Sequence, residues 1–187
     1  MPHSIALLIK RSARLAALTN ELVADSIGSR RSRAVTACFA KQDGLLALLG
    51  EVLSAAIEIM HADFGNIQLI DPRALDLKIV VQHGFGPEFL KFFDRVHDGW
   101  AACGTALKPR RRVLVEDVTS DPIFRDSQVI EVLLAARVRA VQSTPLISRS
   151  GKLLGILSSH YRSPRLPSER ELWLLDILSR QAADFIE

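Results

Sequence analysis

The sequence predicts an α+β fold built on a central antiparallel sheet of five or six strands, and three observations lead to this prediction. Two apolar-rich runs, 139–147 and 153–161, flank a short polar segment that contains Gly151, which is the pattern of a β-hairpin. Two other segments, near residues 44–60 and after Ser168, carry apolar residues at helical spacing. The chain has 187 residues and is 48% apolar, enough for one globular core of ordinary size.

Residues 1–41 are predicted to form a separate amino-terminal arm, consisting of an amphipathic helix and a basic linker, ahead of a domain over residues 42–187. The apolar residues of the helix recur mostly at steps of three or four positions, and the linker over 28–33 contains a glycine and three arginines. Seven Lys or Arg stand against two acidic residues in this arm, a net charge of +5. Such charge is typical of phosphate-binding surfaces. A solvated helix face is nevertheless the favoured interpretation, and nucleic acid is disfavoured as a partner, because no aromatic residue is interleaved for base stacking.

The sequence also bounds the cellular context. Uninterrupted apolar runs of about 18 residues are missing, so we predict no membrane span. Cys38 and Cys103 lie far apart and form no CxxC or Cys/His grouping, so neither a disulfide framework nor a metal site is indicated. We therefore expect a cytoplasmic protein.

Taken in order, the domain begins with a helix over 44–60, which Gln42 or Asp43 would cap. A first hairpin is predicted from strands 65–70 and 75–81, joined across Asp71-Pro72-Arg73. A short aromatic helix over 88–96 and a short strand over 112–115 follow.

The second half contains a further helix over 128–136, for which Asp126 or Ser127 would be the cap, and then the hairpin of 139–161. Ser168 and Glu171 form a capping box at the start of the last helix. The apolar residues of that helix cover more than half of its circumference, so we expect it to have two partners: the helix over 44–60 and a second subunit.

Four ordered blocks resemble the GAF domains of bacterial sensor proteins, in particular those that precede the kinase part of sensor histidine kinases. The blocks are WAACGTAL (100–107), VLVEDVTSDPIF (113–124), the hairpin region 139–164, and PSERELWLLDILSRQAADFIE (167–187). The resemblance covers roughly residues 44–187. It implies terminal helices packed on one face of the sheet and a possible ligand pocket on the other.

If a pocket opens between the aromatic helix and the helix over 128–136, we expect aromatic and small residues to line it, together with two polar side chains of the strand over 139–147. An aspartate of the second block contacts ligand in some relatives. The candidate pocket residues are Phe89, Phe93, Trp100, Cys103, Asp117, Phe124, Leu133, Gln142 and Thr144. Strand alternation places Gln142 and Thr144 on one face of the sheet, but the sequence does not say which face.

In relatives the terminal helices form a parallel dimer, and the last helix continues into an output domain. The candidate dimer-interface residues are Leu48, Val52, Leu172, Leu175, Leu178, Ala182 and Phe185. We expect a homodimer that acts on a histidine kinase or another signalling output. The resemblance does not identify the effector, since members of the family bind chemically different ligands.

Cys103 supports an alternative, in which the protein is a thiol-based redox switch or a GAF-fold reductase. A reactive thiol needs a lowered pKa, for which the basic residues of 108–112 would be the source. Reductase chemistry of this family uses two thiols, and the domain offers only Cys103. We therefore favour a protein without catalytic residues.

Haem and a covalent tetrapyrrole are disfavoured as cofactors. Cys103 is not followed by the histidine of tetrapyrrole-attaching GAF domains, and the spacing of the histidines does not indicate an axial haem ligand. The resemblance therefore implies a non-enzymatic sensory module of bacterial two-component-type signalling that binds a small effector and signals through a helix-mediated dimer. A dimerisation domain without ligand remains the other alternative.

Overall fold

A computed structural model describes residues 33–125 and 128–187, with side chains described from residue 44 onward. The predicted helix and most of the linker in the amino-terminal arm lie outside the described residues, as do the candidate caps Asp126 and Ser127. The chain divides into two compact units, Met1–Glu51 and Val52–Glu187. The described part of the first unit is helical, and the second unit contains the sheet.

Helix α1 extends over Arg33–Met60 and therefore begins well before the predicted start at Gly44. The segment 34–41 contains neither proline nor glycine, so nothing in it opposes a helix that continues toward the amino terminus. Gln42 and Asp43 lie inside the helix and are not caps, which corrects that prediction. The helix ends at His61, which has a positive φ of 49°.

Six strands form one antiparallel sheet, in the order β3-β2-β1-β6-β5-β4, which confirms the predicted fold class. The strands are β1 (Phe64–Ile70), β2 (Leu77–His83), β3 (Arg95–Val96), β4 (Val113–Val115), β5 (Ala140–Ile147) and β6 (Leu153–Tyr161). The two hairpins and the short strand β4 were predicted. The edge strand β3 was assigned to a helix in the sequence analysis.

The turn between β1 and β2 is longer than predicted, and this moves the start of β2 from Leu75 to Leu77. The Asp71 carboxylate accepts hydrogen bonds from the backbone N–H of Arg73 and Ala74, which closes the turn. Leu75 adopts a positive φ of 57° and is exposed. A residue in that conformation cannot continue the extended strand.

Four short segments follow one another along the same face of the sheet and cover it. They are α2 (Pro87–Phe92), α3 (Ala101–Leu107), a 3-10 turn (Pro122–Phe124) and α4 (Gln128–Ala135). Their buried side chains belong to one apolar cluster with residues of β1, β4, β5 and β6. Asp121 caps the 3-10 turn by accepting from the Ile123 N–H, and Phe124 at the end of this turn is buried in the core.

The last helix, α5 (Glu169–Ile186), packs mainly against β5. Its capping box is formed as predicted: the Ser168 hydroxyl accepts from the Glu171 N–H, and the Glu171 carboxylate accepts from the Ser168 N–H. None of the described helices is both long and apolar enough to cross a membrane.

Candidate ligand-binding site

A small cavity lies between the sheet and its cover of short helices. Its volume is about 20 Å³, counted as space for the centre of a water molecule, so the closed form has room for about one water. Its lining comes from three strands and from each of the four covering segments or their flanks. The lining residues are Asn66, Gln68, Phe89, Phe93, Ala101, Ala102, Cys103, Phe124, Leu133, Val141, Ser143, Ser158 and His160.

Strand register explains why the floor of this cavity is polar. Asn66 of β1 pairs with Ser158 of β6, which in turn pairs with Ser143 of β5. Residues that pair directly across antiparallel strands point to the same face of the sheet, so the three side chains form one row. The hydroxyls of Ser143 and Ser158 are hydrogen-bonded at 2.8 Å. Gln68 lies on the same face as Asn66, because it is two residues further along β1.

The opposite face of β1 is closed by α1 and leaves no room for a ligand. A Cβ atom placed on Gly65 would lie 2.9 Å from Leu53 and 3.3 Å from Ile57 of this helix. The glycine therefore lets the helix approach the strand closely. The cavity lies on the other face of β1, which carries Asn66 and Gln68.

Three buried polar atoms of the cavity wall have no hydrogen-bond partner within the described part of the chain: Asn66 Oδ1, Gln68 Oε1 and His160 Nδ1. Buried polar atoms are nearly always hydrogen-bonded in folded proteins, and leaving one unpaired costs about 1–3 kcal/mol. Such a cluster is therefore unusual for a site that serves packing alone. A polar molecule in the cavity would pair with these three atoms.

His160 is held as a neutral imidazole. Its ring lies edge-on to the rings of Phe85 and Phe89, with centroids 5.0 and 6.1 Å apart. Burial in these apolar surroundings lowers its pKa from 6.5 to about 3. The neutral imidazole can therefore form a hydrogen bond with a ligand, but it brings no positive charge to the cavity at neutral pH.

Cys103 lines the cavity and is a buried thiol. Burial raises its pKa to about 11, and the opposing effects of the Gly104 and Cys103 backbone amides and of the Gln68 side chain are smaller. The thiolate is the reactive form, so this environment is the opposite of the one a redox-sensing cysteine requires. The basic residues of 108–112 do not lower this pKa as the sequence analysis supposed.

Five of the nine candidate pocket residues line the cavity: Phe89, Phe93, Cys103, Phe124 and Leu133. Trp100 does not. Its ring packs outside the lining against Phe92 and Phe93, with centroids 5.2 and 5.7 Å apart. The five lining residues surround one cavity, and their role in binding stays a prediction.

Asp117 is also absent from the lining. Its carboxylate accepts from the Thr119 N–H and hydroxyl and pairs with Arg139, at 2.7 Å. The Arg139 hydrogen bond is the largest contribution that lowers the pKa of Asp117 to about 2. Both oxygens of the Asp117 carboxylate are therefore already hydrogen-bonded, to Thr119 in the turn and to Arg139.

Gln142 and Thr144 lie on the wrong face of β5 for the predicted pocket. Val141 and Ser143 point into the cavity, so the residues between and after them point away from it. On that other face the Gln142 side chain contacts the Thr144 hydroxyl, which accepts from Arg112 Nε at 2.7 Å. Arg112 also pairs with Asp176 of α5, which ties this face to the terminal helix.

The sequence analysis missed eight lining residues, and polar ones predominate among them: Asn66, Gln68, Ala101, Ala102, Val141, Ser143, Ser158 and His160. The signal was present in β1, where Asn66 and Gln68 alternate with apolar residues inside an otherwise buried strand. Among the described residues, no group of three or more His, Cys, Asp or Glu side chains is placed to hold a metal ion.

The candidate dimer-interface residues differ in how exposed they are within the single chain, and their role in dimerisation stays a prediction. Leu48, Val52, Leu175, Leu178 and Ala182 are buried, whereas Leu172 and Phe185 are half-buried. On α5 the exposed apolar side chains are Trp173, 61% exposed, and Ile177, 41% exposed. A second subunit that meets this helix would contact these two residues first.

Comparison with known folds gives the same architecture. The structure is similar to a domain of a protein assigned as a two-component sensor histidine kinase from Sinorhizobium meliloti 1021, with a TM-score of 0.63, 20% identity, and coverage of 75% of this chain and 89% of that one. A GAF domain of a phosphoenolpyruvate-protein phosphotransferase from Coxiella burnetii gives a TM-score of 0.64 at 16% identity, with coverage of 95% and 93%.

A free methionine-R-sulfoxide reductase from Neisseria meningitidis, solved with its substrate, gives a TM-score of 0.60 at 20% identity, with coverage of 75% of this chain and 76% of that one. At these identities the likeness concerns the fold alone. A comparison with curated protein sequences found no match. The GAF domain family model matches residues 43–187, and the chain therefore belongs to the GAF domain family.

Proposed function

We propose that the protein is a non-enzymatic sensory module that binds a small effector in the cavity over β1, β5 and β6. The observation that carries the proposal is the set of unpaired polar atoms on Asn66, Gln68 and His160. Membership of the GAF family supports a sensory or regulatory role in general. The cavity supports the specific role, because a ligand with matching polar groups would remove the cost of leaving these atoms unpaired.

Binding of an effector requires the cover to move, since the closed cavity has room for about one water. The cover is suited to such a change: the three phenylalanine rings that line the cavity come from a six-residue helix, its C-terminal flank and the 3-10 turn, and the other two covering helices have only seven and eight residues. Rotation of the Phe89, Phe93 and Phe124 side chains would enlarge the space without breaking the sheet. A ligand selects the open form only by its higher affinity for it.

Signalling is proposed to pass through the terminal helices of a homodimer in bacterial two-component-type regulation, and a histidine kinase is one candidate output. The sensor-kinase context of one similar structure supports this proposal. The contact of α5 with β5 supports it as well, because β5 also contributes to the cavity wall. A cytoplasmic location remains a prediction from the sequence.

A dimerisation module without a ligand is the second candidate, and the small volume of the closed cavity favours it. An enzymatic or redox role of Cys103 is not favoured, because burial raises the pKa of the thiol and so disfavours the reactive thiolate.

Native mass spectrometry of freshly purified protein, beside its denatured mass and its visible absorption spectrum, tests the proposal. We expect the native dimer to carry an extra mass that is lost on denaturation. A variant in which Asn66 and Gln68 are both replaced by Leu should lose that mass. A dimer without added mass that also fails to gain thermal stability from a metabolite mixture would instead favour the dimerisation module.

A further inference from the structure

We infer that the effector of this cavity is a small uncharged molecule that donates hydrogen bonds through an amide-type –NH2 group and carries an apolar, ring-like remainder. The inference rests on the proposed function and deepens it. Three properties of the lining lead to it: the absence of charge, the chemistry of the unpaired atoms, and the distribution of aromatic rings.

None of the described lining residues brings a charge to the cavity at neutral pH. The polar members are two amides, two serines, a histidine and a cysteine. His160 is neutral because burial lowers its pKa to about 3, and Cys103 is neutral because burial raises its pKa to about 11. A charged ligand would be buried without a counter-charge, which is costly. A carboxylate or an ammonium group is therefore disfavoured.

The unpaired atoms on β1 are hydrogen-bond acceptors. Asn66 Oδ1 and Gln68 Oε1 are carbonyl oxygens, and both residues are almost fully buried, at 4% and 1% exposure. Side chains two residues apart on one face of a strand are separated by about 7 Å. An –NH2 group with two hydrogen bonds of about 2.9 Å reaches acceptors about 5 Å apart, and rotation of the Asn66 and Gln68 side chains can bring their oxygens to that separation. A single primary amide can thus satisfy both oxygens.

The wall opposite β1 is apolar. Phe89, Phe93 and Phe124 lie there, and the rings of Phe89 and Phe93 are tilted at 41° with centroids 4.5 Å apart. Such rings favour an aromatic or otherwise flat apolar group. An amide directed at β1 and a ring among these phenylalanines would therefore match both walls.

Four small probes of nearly equal size test this inference in the 187-residue chain by thermal unfolding and ligand-observed NMR. Benzamide is neutral and donates through –NH2, acetophenone is neutral without a donor, benzoate is an anion, and benzamidine is a cation. We expect benzamide to raise the melting temperature by about 3 °C at tenfold excess over its Kd, and the other three to bind at least tenfold more weakly.

Two buried glutamines provide a matched pair of variants. Gln68→Leu removes an unpaired acceptor from the cavity, whereas Gln142→Leu removes an equally buried amide from the opposite face of the sheet. We expect Gln68→Leu to lose at least tenfold in benzamide affinity and to remain folded, because the lost oxygen has no partner. Gln142→Leu should bind benzamide as the wild type does. Equal losses in both variants would overturn the inference.

The other outcomes separate this inference from the proposed function. Benzoate, benzamidine or acetophenone binding as tightly as benzamide would refute the ligand class but leave a ligand-binding cavity. If no probe binds, a copurifying molecule found by native mass spectrometry decides: a neutral donor supports the inference, and a charged or donor-free molecule refutes it. Absence of any bound probe or copurifying molecule would refute both the inference and the proposed function.

Discussion

Acidification should destabilise the protein through His160, and the size of the effect follows from its burial. The imidazole is enclosed by phenylalanine rings, and burial lowers its pKa from 6.5 to about 3 without a compensating charge. The unfolded chain therefore binds a proton near pH 6.5 that the folded protein does not bind until about pH 3. The stabilisation is complete above pH 6.5 and is lost progressively as the pH falls toward 3.

Between the two pKa values of His160, the free energy of unfolding falls by about 1.36 kcal/mol for each unit by which the pH is lowered. Between about pH 7.5 and pH 5, His160 alone should lower the free energy of unfolding by about 2 kcal/mol. For a chain of this length the melting temperature should fall by about 4–8 °C. Cys103, the other titratable group of the lining, has its pKa raised to about 11 and stays a neutral thiol over this range.

Urea unfolding at several pH values measures this effect, and two variants isolate it. His160→Gln removes the buried titrating group and should flatten the pH dependence by about 2 kcal/mol over this range, whatever its absolute stability. His83→Gln replaces an exposed histidine and controls for the His-to-Gln change itself. An NMR titration of the His160 ring gives a direct check in the wild type. A ring that titrates near pH 6.5, or equal slopes in wild type and His160→Gln, would refute the assignment.

Three further predictions concern the fold and the assembly. Gly155→Ala should cost about 3 kcal/mol in urea unfolding, because its Cβ would lie 2.1 Å from a backbone carbonyl oxygen of β1. Gly50→Ala in α1, with nothing within 4 Å, should instead gain about 0.5–1 kcal/mol, and equal effects at the two glycines would contradict this explanation. Ser168→Ala should lose about 1 kcal/mol by opening the capping box, and an unchanged stability would show that the cap is dispensable. The double variant Trp173→Glu, Ile177→Glu should have a lower mass by light scattering than the wild type and an unchanged circular dichroism spectrum. A dimer that persists in this double variant would place the interface elsewhere.

Local sequence patterns were sufficient for most of the fold. The hairpin of β5 and β6 and the capping box at Ser168 depend on residues close together in the sequence, and both were predicted. The edge strand β3 was missed because it has only two residues and forms only by pairing with β2. The strand is also held in place by its Arg95 side chain, which donates a hydrogen bond of 2.9 Å to the carboxylate of the buried Asp76.

The cavity was harder to predict, because its floor depends on pairing between strands that are distant in sequence. Asn66 and Ser158 share a face only because β1 pairs with β6, and no local pattern gives that register. Strand alternation correctly grouped Gln142 with Thr144, but the choice of face depends on what packs on each side. The aromatic lining was easier to identify, since large buried rings beside small residues already indicate close packing against the sheet.

The two faces of β5 suggest how occupancy of the cavity would reach the terminal helix. Ser143 points into the cavity, while Thr144, the next residue, accepts from Arg112, whose guanidinium pairs with Asp176 of α5. Ser143 and Thr144 lie in a strand that is held on both sides by pairing with β4 and β6, so a shift of β5 carries both residues with it. A ligand that displaces β5 on the cavity side must therefore also displace the polar contacts that position α5. The free energy available for this change is limited to the difference in ligand affinity between the two positions of the strand.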